Sequence, residues 1–179
     1  IPSIPDYPGA ARFIEAGGTL CHTSEFTQLE DARGKNVLVV GYGKSSCDVA
    51  NATVNISAST TVIARHLIWK IPKKLNNILN FKFLFLTRLG EGLFRYIQLK
   101  GFEKFLHGPG KPLRNALLNS VESVVAKQLR LRKIGLHPEK PLETIARSTV
   151  SLVTDGYYEN MINGRLRMKA RDEITELLA

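Results

Sequence analysis

The chain has 179 residues, of which 44% are hydrophobic and 23% charged, and its formal net charge is +9. This length suits one domain or one domain with part of another, and the hydrophobic content is sufficient for a packed core. No apolar run approaches the roughly eighteen residues of a membrane-spanning helix, which argues against an integral membrane protein of that kind.

The first residues and the cysteines bear on location and class. The chain opens on Ile1-Pro2 rather than Met and shows no basic and apolar leader, so we expect it to be the interior of a longer cytoplasmic protein. Cys21 and Cys47 have neither the spacing of a disulfide framework nor that of a metal site. We therefore predict no metal centre and a reducing compartment.

The first 34 residues form a lead-in that is rich in turn-forming residues. Pro2, Pro5 and Pro8-Gly9 argue against a helix in this stretch. We therefore expect an extended segment that leads into the first strand.

Residues 35–66 have the order strand, glycine turn, helix and strand. The strands are predicted at Val37–Val40 and Thr60–Ala64, with a helix from about Ser45 to Asn55 between them. Such a β-α-β unit builds a parallel sheet. The predicted fold class is therefore α/β, a Rossmann-like parallel sheet with Val37–Val40 as its central first strand and an α-helical insertion after the second strand.

The turn between the first strand and the helix contains a Gly-x-Gly sequence. Gly41 permits the tight turn, and Gly43 lets the backbone approach a phosphate without a side chain in the way. The helix that follows presents free N–H groups and the positive end of its dipole. Ser46 stands where the third glycine of the fingerprint is usual, and it is small enough for close helix–strand packing. This turn is predicted to bind the pyrophosphate of a dinucleotide.

The second strand ends in Arg65-His66, where NAD-binding folds usually carry an acid. An acid would repel a 2′-phosphate, whereas a guanidinium binds it in a bidentate way. The sequence therefore favours NADP(H) over NAD(H), with solvated surface residues as the alternative for Arg65, His66 and Lys44. The predicted cofactor-binding residues are Gly41, Tyr42, Gly43, Lys44, Ser45, Ser46, Arg65 and His66.

A basic and helical block occupies about residues 75–133. Residues 65–133 hold fifteen basic and three acidic side chains. The apolar residues recur at helical spacing, and a helix is predicted over Leu113–Leu131. We rank three interpretations of this block: cover over a substrate channel, weak contact with an anionic membrane surface, and nucleic-acid binding. Because helical spacing with Leu and Ile favours core packing of the aromatic residues, we expect no nucleic-acid partner.

The last part of the chain, after Asp155, is predicted to form a short helix, a turn at Asn163-Gly164 and two β-like runs. These runs cover residues 165–169 and 173–177. They are expected to complete the α/β unit.

The run from Gly41 to Ala50, Gly-x-Gly-Lys-Ser-x-x-Asp-x-Ala, resembles the NADPH-binding fingerprint of the flavin-containing monooxygenases. Upstream, Gly18, His22 and Phe26 match the linker signature of that family, while Ala16 stands in place of its leading Phe. The resemblance covers residues 1–72.

This resemblance implies a division of the chain. Residues 1–34 would be the linker from an FAD-binding domain, and 35–154 the NADPH-binding domain with its helical insertion at about 75–133. Residues 155–179 would return toward the FAD domain. No Gly-x-Gly-x-x-Gly motif for FAD occurs in the sequence, so we expect the chain alone to bind NADPH without catalysing oxygenation.

The resemblance also implies the reaction and the partners. NADPH reduces FAD, the reduced flavin takes up O₂, and one oxygen atom passes to a small organic substrate in N-, S- or Baeyer–Villiger-type chemistry. Because the cofactors supply this chemistry, no catalytic side chain is assigned. Two alternatives stay open: the NADPH domain of a two-dinucleotide flavoprotein reductase, which would carry a redox cysteine pair, and a peripheral membrane-binding module.

Overall fold

The computed structural model describes residues 4–85, 87–94, 99–147 and 151–178. Short 3₁₀ helices occur at Leu29–Ala32 and Leu142–Arg147. The α-helices and β-strands, in chain order, are α1 (Ala10–Glu15), β1 (Asn36–Val40), α2 (Lys44–Thr53), β2 (Ser59–Ala64), β3 (Lys70–Ile71), β4 (Lys74–Leu75), β5 (Leu79–Asn80), α3 (Phe81–Phe85), α4 (Arg88–Leu93), α5 (Phe102–His107), α6 (Lys111–Gln128), β6 (Ser151–Leu152), α7 (Tyr157–Ile162) and β7 (Leu166–Ala170).

These elements form two compact units. The first contains the chain up to His66 together with the residues from Thr154 onward, and the second is Leu67–Val153. The β-α-β segment and α7 with β7 therefore belong to one unit, although about 90 residues of sequence separate them. Helices α3 to α6 all lie in the other unit.

The sheet of the first unit has three parallel strands in the order β1-β2-β7. The predicted parallel β-α-β unit is confirmed, with Val37 opposite Thr60 and Val40 opposite Ile63. The predicted central place of Val37–Val40 is wrong, because β2 lies in the middle and β1 at one edge of the described strands. The exposure of the residues in the two strands agrees with this order. β2 is buried over its last three residues, whereas Leu38 and Val40 of β1 are each 47% exposed.

Two predictions about the ends of this unit are also corrected. The lead-in is not entirely extended, because α1 begins directly after Pro8-Gly9, where Gly9 has a φ of 83°. The prolines precede this helix and do not interrupt it. The β-like run 173–177 is not a strand. Its Leu177 N–H donates to the carbonyl of Pro8 (2.8 Å), so this run packs on a loop rather than beside a strand.

The core of the first unit contains a cluster of three tyrosines around the buried thiol of Cys47. The rings of Tyr157 and Tyr158 meet edge to face at 5.4 Å, and the ring of Tyr42 lies 6.3 Å from that of Tyr157. Burial raises the pKa of all three phenols above the ordinary value, so they stay neutral in the folded protein.

The second unit is built mainly from helices, as predicted, although residues 86 and 95–98 of the predicted block lie outside the described residues. The stretch from Lys74 to Asn80 is not helical and forms an antiparallel hairpin. Asn76 and Asn77 at its tip have φ values of 50° and 61°, which asparagine tolerates better than most residues. The predicted helix over 113–131 is present as α6, but it begins at Lys111 and ends at Gln128, before Arg130, which has a φ of 52°.

A buried cation holds helices of the second unit together. Arg114 of α6 is 4% exposed, and its Nε donates to the carbonyl of Leu93 at 2.7 Å. Its Nη2 pairs with Glu143 of the second 3₁₀ helix. Lys70 is buried as well, and its Nζ donates to Ser151 Oγ at 2.9 Å. Arg114 and Lys70, two of the fifteen basic residues between positions 65 and 133, therefore have structural roles.

Within the described part of the chain, no helix has the length and hydropathy needed to cross a bilayer.

We expect the stability of the chain to fall as the pH rises above about 10. The three buried phenols are neutral in the fold, but they ionise near pH 10 once the chain is unfolded. The unfolded state then binds fewer protons than the folded state, and each phenol can cost up to about 1.4 kcal/mol per pH unit.

Urea unfolding between pH 8 and pH 11 measures this slope. Tyr157→Phe, which removes one of the three buried phenols, should reduce the slope. Equal slopes for the wild type and Tyr157→Phe would contradict the prediction.

Candidate dinucleotide-binding site

The glycine turn begins at the end of β1 and is tied to the end of β2. The N–H of Gly41 donates to the carbonyl of Ile63 at 2.8 Å. Gly41 has a φ of 109°, and a Cβ at this position would lie 3.1 Å from Ser46 Oγ. Both the backbone conformation and the close packing therefore require glycine here.

Gly43 and Ser46 leave the start of α2 open. A Cβ placed on Gly43 would meet nothing within 4 Å, so solvent reaches the backbone at this point. The Oγ of Ser46 lies 3.4 Å from the carbonyl of Val40, under the turn. The N–H groups of Lys44, Ser45 and Ser46 belong to the first turn of α2, where a helix has no internal acceptor for them. Such a turn suits an anion.

The side chain of Tyr42 points away from this opening. It is 5% exposed, and its hydroxyl lies 2.5 Å from the hydroxyl of Tyr158. Of the predicted binding residues, Tyr42 can therefore offer a ligand its backbone but not its ring.

Lys44 is held by a polar network at the start of α2. Its Nζ pairs with Asp48 one turn further along the helix and donates to Thr154 Oγ1 at 3.1 Å. Thr154 in turn donates to Asp48 at 2.6 Å. Spacing of four residues could have indicated the Lys44–Asp48 pair, but no local signal in the sequence indicates Thr154.

A cavity of about 810 Å³ runs along β1 in the first unit. Three of the predicted binding residues line it: Gly41, Ser46 and Arg65. The other exposed ones, Gly43, Lys44, Ser45 and His66, lie outside its lining.

The carboxyl ends of the strands bring unlike charges to the same cavity. Arg65 follows β2, and Asp172 follows β7, with its N–H donating to the carbonyl of Ala64 at 3.2 Å. Glu173 lines the cavity as well. No local signal in the sequence indicates these two acids, because they reach the cavity of Arg65 only through the pairing of β2 with β7.

His22 of the linker signature organises a turn. Its backbone N–H donates to Glu25 (2.8 Å), and its Nδ1 accepts the backbone N–H of Ser24 at 3.2 Å. Because Nδ1 is the acceptor, the neutral ring carries its proton on Nε2. Gly18 packs so closely on the ring of Phe13 that a Cβ would collide with it. These two residues of the signature therefore have structural roles.

The parallel sheet, the glycine turn and the open helix start are those of a Rossmann-type α/β unit. The family model described as flavin-binding monooxygenase-like matches residues 1–169. The chain belongs to this family, and the predicted family is thereby confirmed.

Curated relatives share short stretches with the chain. It is 29% identical over 105 residues to indole-3-pyruvate monooxygenase YUCCA1 of Oryza sativa subsp. japonica. The aligned residues are 59% of this chain and 24% of that protein. The chain is 40% identical over 67 residues to trimethylamine monooxygenase of Pelagibacter ubique (strain HTCC1002). The aligned residues are 37% of this chain and 14% of that protein. The chain thus spans about a quarter or less of the length of these relatives.

The fold is similar to that of a solved protein structure. A crystal structure of OTEMO in complex with FAD and NADP has a TM-score of 0.56, with 16% sequence identity. The similarity covers 98% of this chain and 41% of that one. At this identity the likeness concerns the fold, and it agrees with the predicted α/β class.

We expect Gly43→Val to abolish dinucleotide binding and to leave the unit folded. Gly43 has a φ of −73°, which valine adopts, and the added side chain meets open space in the protein. That space is the route by which a phosphate would reach the start of α2.

Calorimetric titration with NADP⁺ tests binding, and circular dichroism tests the fold. Ala52→Val adds the same methyl groups to an exposed position of α2 and should bind normally. Retained binding by a folded Gly43→Val variant would show that the turn does not contact the ligand.

Proposed function

We propose that this chain is the NADPH-binding portion of a flavin-dependent monooxygenase, which uses NADPH, FAD and O₂ to oxygenate a small organic substrate. The observation that carries the proposal is the exposed Gly43 at the start of α2, joined to a parallel β-α-β unit in a member of this family. We assign residues 1–34 to the linker from an FAD domain and residues 35–154 to NADPH binding. Residues 155–179 would return to the FAD domain.

The residues at the turn fit the pyrophosphate of a dinucleotide. Gly43 admits the phosphates to the backbone, and the N–H groups of the first turn of α2 point toward them. Lys44, 46% exposed at its side chain, could turn from Asp48 to a phosphate as a point charge. These contacts bind and orient the cofactor without specifying which nucleotide is bound.

Arg65 would specify the phosphorylated nucleotide. It is exposed at the carboxyl end of β2 and lines the cavity that also contains Gly41. Asp172 and Glu173 line the same cavity, so their negative charges disfavour an anion there unless it contacts Arg65 directly. Because an exposed guanidinium binds phosphate in a bidentate way, we assign the 2′-phosphate of NADP(H) to Arg65, with His66 beside it.

The protein would contribute binding and orientation rather than a catalytic side chain. When bound, NADPH and FAD supply hydride transfer and oxygen activation. The turn would hold the pyrophosphate of NADPH and Arg65 its 2′-phosphate, and hydrogen bonds of His22 fix the turn within the Gly18–Phe26 segment.

We propose that the second unit covers the substrate channel of a cytoplasmic enzyme, with weak contact to an anionic membrane surface. Its exposed cations include Lys100, Lys104 and Lys111, and Phe102 and Leu113 among them are 62% and 54% exposed. Basic residues beside exposed apolar ones suit an interfacial surface.

We expect Arg65→Ala to weaken NADP⁺ binding by about one to two decades and to leave NAD⁺ binding unchanged. A charge-assisted contact to the 2′-phosphate contributes roughly 1.5–3 kcal/mol. Calorimetric titration of both cofactors measures the difference.

Lys35→Ala is the matched control for this variant. Lys35 lines the same cavity but precedes β1, so it lies at the opposite end of the strands from Arg65. An equal loss for NADP⁺ and NAD⁺ in Arg65→Ala, or no loss for either, would remove Arg65 from this role.

We expect weak, salt-sensitive sedimentation of the chain with anionic vesicles and none with neutral vesicles. Each well-placed cation contributes about 1 kcal/mol near an anionic bilayer. Lys111→Glu should weaken this binding more than Lys169→Glu, which changes an exposed lysine of the first unit. If the chain binds neither kind of vesicle, cover over the substrate channel remains as the proposed role of the second unit. Tight binding to single-stranded DNA would overturn both proposed roles.

A further inference from the structure

The tyrosine between the two glycines of the turn has a role that the nucleotide fingerprint does not assign. The middle residue of a Gly-x-Gly turn has flexible neighbours on both sides. Here that residue is Tyr42, which is buried and whose hydroxyl lies 2.5 Å from that of Tyr158. The turn is thus joined to helix α7, which lies 116 residues further along the chain.

Helix α7 is itself fixed against α2. The side chain of Asn51 in α2 donates to the carbonyl of Asp155 at 3.0 Å, and Asn160 in α7 donates to Asn51 at 2.9 Å. Gly156, with a φ of 83°, starts α7 close to Asn51. The anchor that holds Tyr42 is therefore part of the same rigid arrangement as the helix whose start would bind phosphate.

The chemistry of the tyrosine pair makes it a specific contact. Both hydroxyls are buried, and burial raises the pKa of both phenols, so each is a neutral group that needs a partner. The hydroxyl of Tyr157, in the same cluster, instead donates to Met168 Sδ at 3.8 Å. The Tyr42–Tyr158 hydrogen bond thus connects α7 with the turn, and the ring of Tyr157 packs beside Tyr42 as well.

We propose that the Tyr42–Tyr158 pair is a positioning device that fixes the glycine turn in the conformation that binds phosphate. This inference rests on the proposed dinucleotide binding. A ligand that meets an already ordered turn does not spend binding energy on ordering it. Tyr42 and Tyr158 are thus positioning residues that act on affinity without side-chain contact with the ligand.

Removal of single hydroxyls tests this role by calorimetric titration with NADP⁺. Tyr42→Phe and Tyr158→Phe should each weaken binding about three- to tenfold, the range expected for one hydrogen bond. The double variant should lose no more than either single variant, because the two hydroxyls act as one contact. Tyr157→Phe, which removes a neighbouring hydroxyl that donates to Met168 Sδ, should bind as the wild type does.

Amide hydrogen exchange of the ligand-free chain gives a second, independent measurement. Tyr42→Phe and Tyr158→Phe should speed exchange of the amides of residues 41–47 and leave those of β2 unchanged. Tyr157→Phe should leave residues 41–47 unchanged. A purely structural role would lower thermal stability in all three variants without this selective effect on the turn.

The outcomes separate this inference from the proposed function. A wild-type chain that binds no dinucleotide would overturn the proposed function, while exchange of the turn would still decide whether the pair orders it. A wild-type chain that binds NADP⁺, with equal affinity in Tyr42→Phe and unchanged exchange, would overturn the positioning role alone.

Discussion

The parallel pairing of β1 with β2 is the constraint on which the candidate site depends. It aligns the carboxyl ends of both strands, and the bond from Gly41 N–H to the carbonyl of Ile63 continues that pairing into the turn. The glycine turn and Arg65 consequently emerge at the same edge of the sheet. Ligands of open α/β sheets bind at this edge, and Gly41 of the turn and Arg65 line one cavity there.

A second constraint comes from the other side of β2. Because β7 pairs with β2, the end of the chain returns to the sheet and places α7 against α2 and Asp172 beside Arg65. The same crossover therefore supplies Tyr158, the partner of Tyr42, and two carboxylates that line the same cavity as Arg65. The contact that supports the turn and the negative charges in the cavity of Arg65 therefore both come from residues that are remote in sequence.

The basic character of the second unit has two physical origins. Arg114 and Lys70 are buried and hydrogen-bonded, so their charges belong to the packing of the unit. Lysines such as Lys104 and Lys111 are exposed, so their charges can interact with molecules outside the unit. A net charge counted along the sequence combines both kinds, whereas only the exposed kind can attract an anionic surface.

The sequence by itself determined the features that local chemistry sets. Gly41 marks a turn that needs glycine, the apolar runs on either side give β1 and β2, and helical spacing gives α6. The resemblance added the family, which the match over residues 1–169 confirms. Only the tertiary structure decided which strand is central, in which direction Tyr42 points and which acids share a cavity with Arg65. These depend on pairing and burial between segments up to 116 residues apart, for which no local propensity or spacing exists.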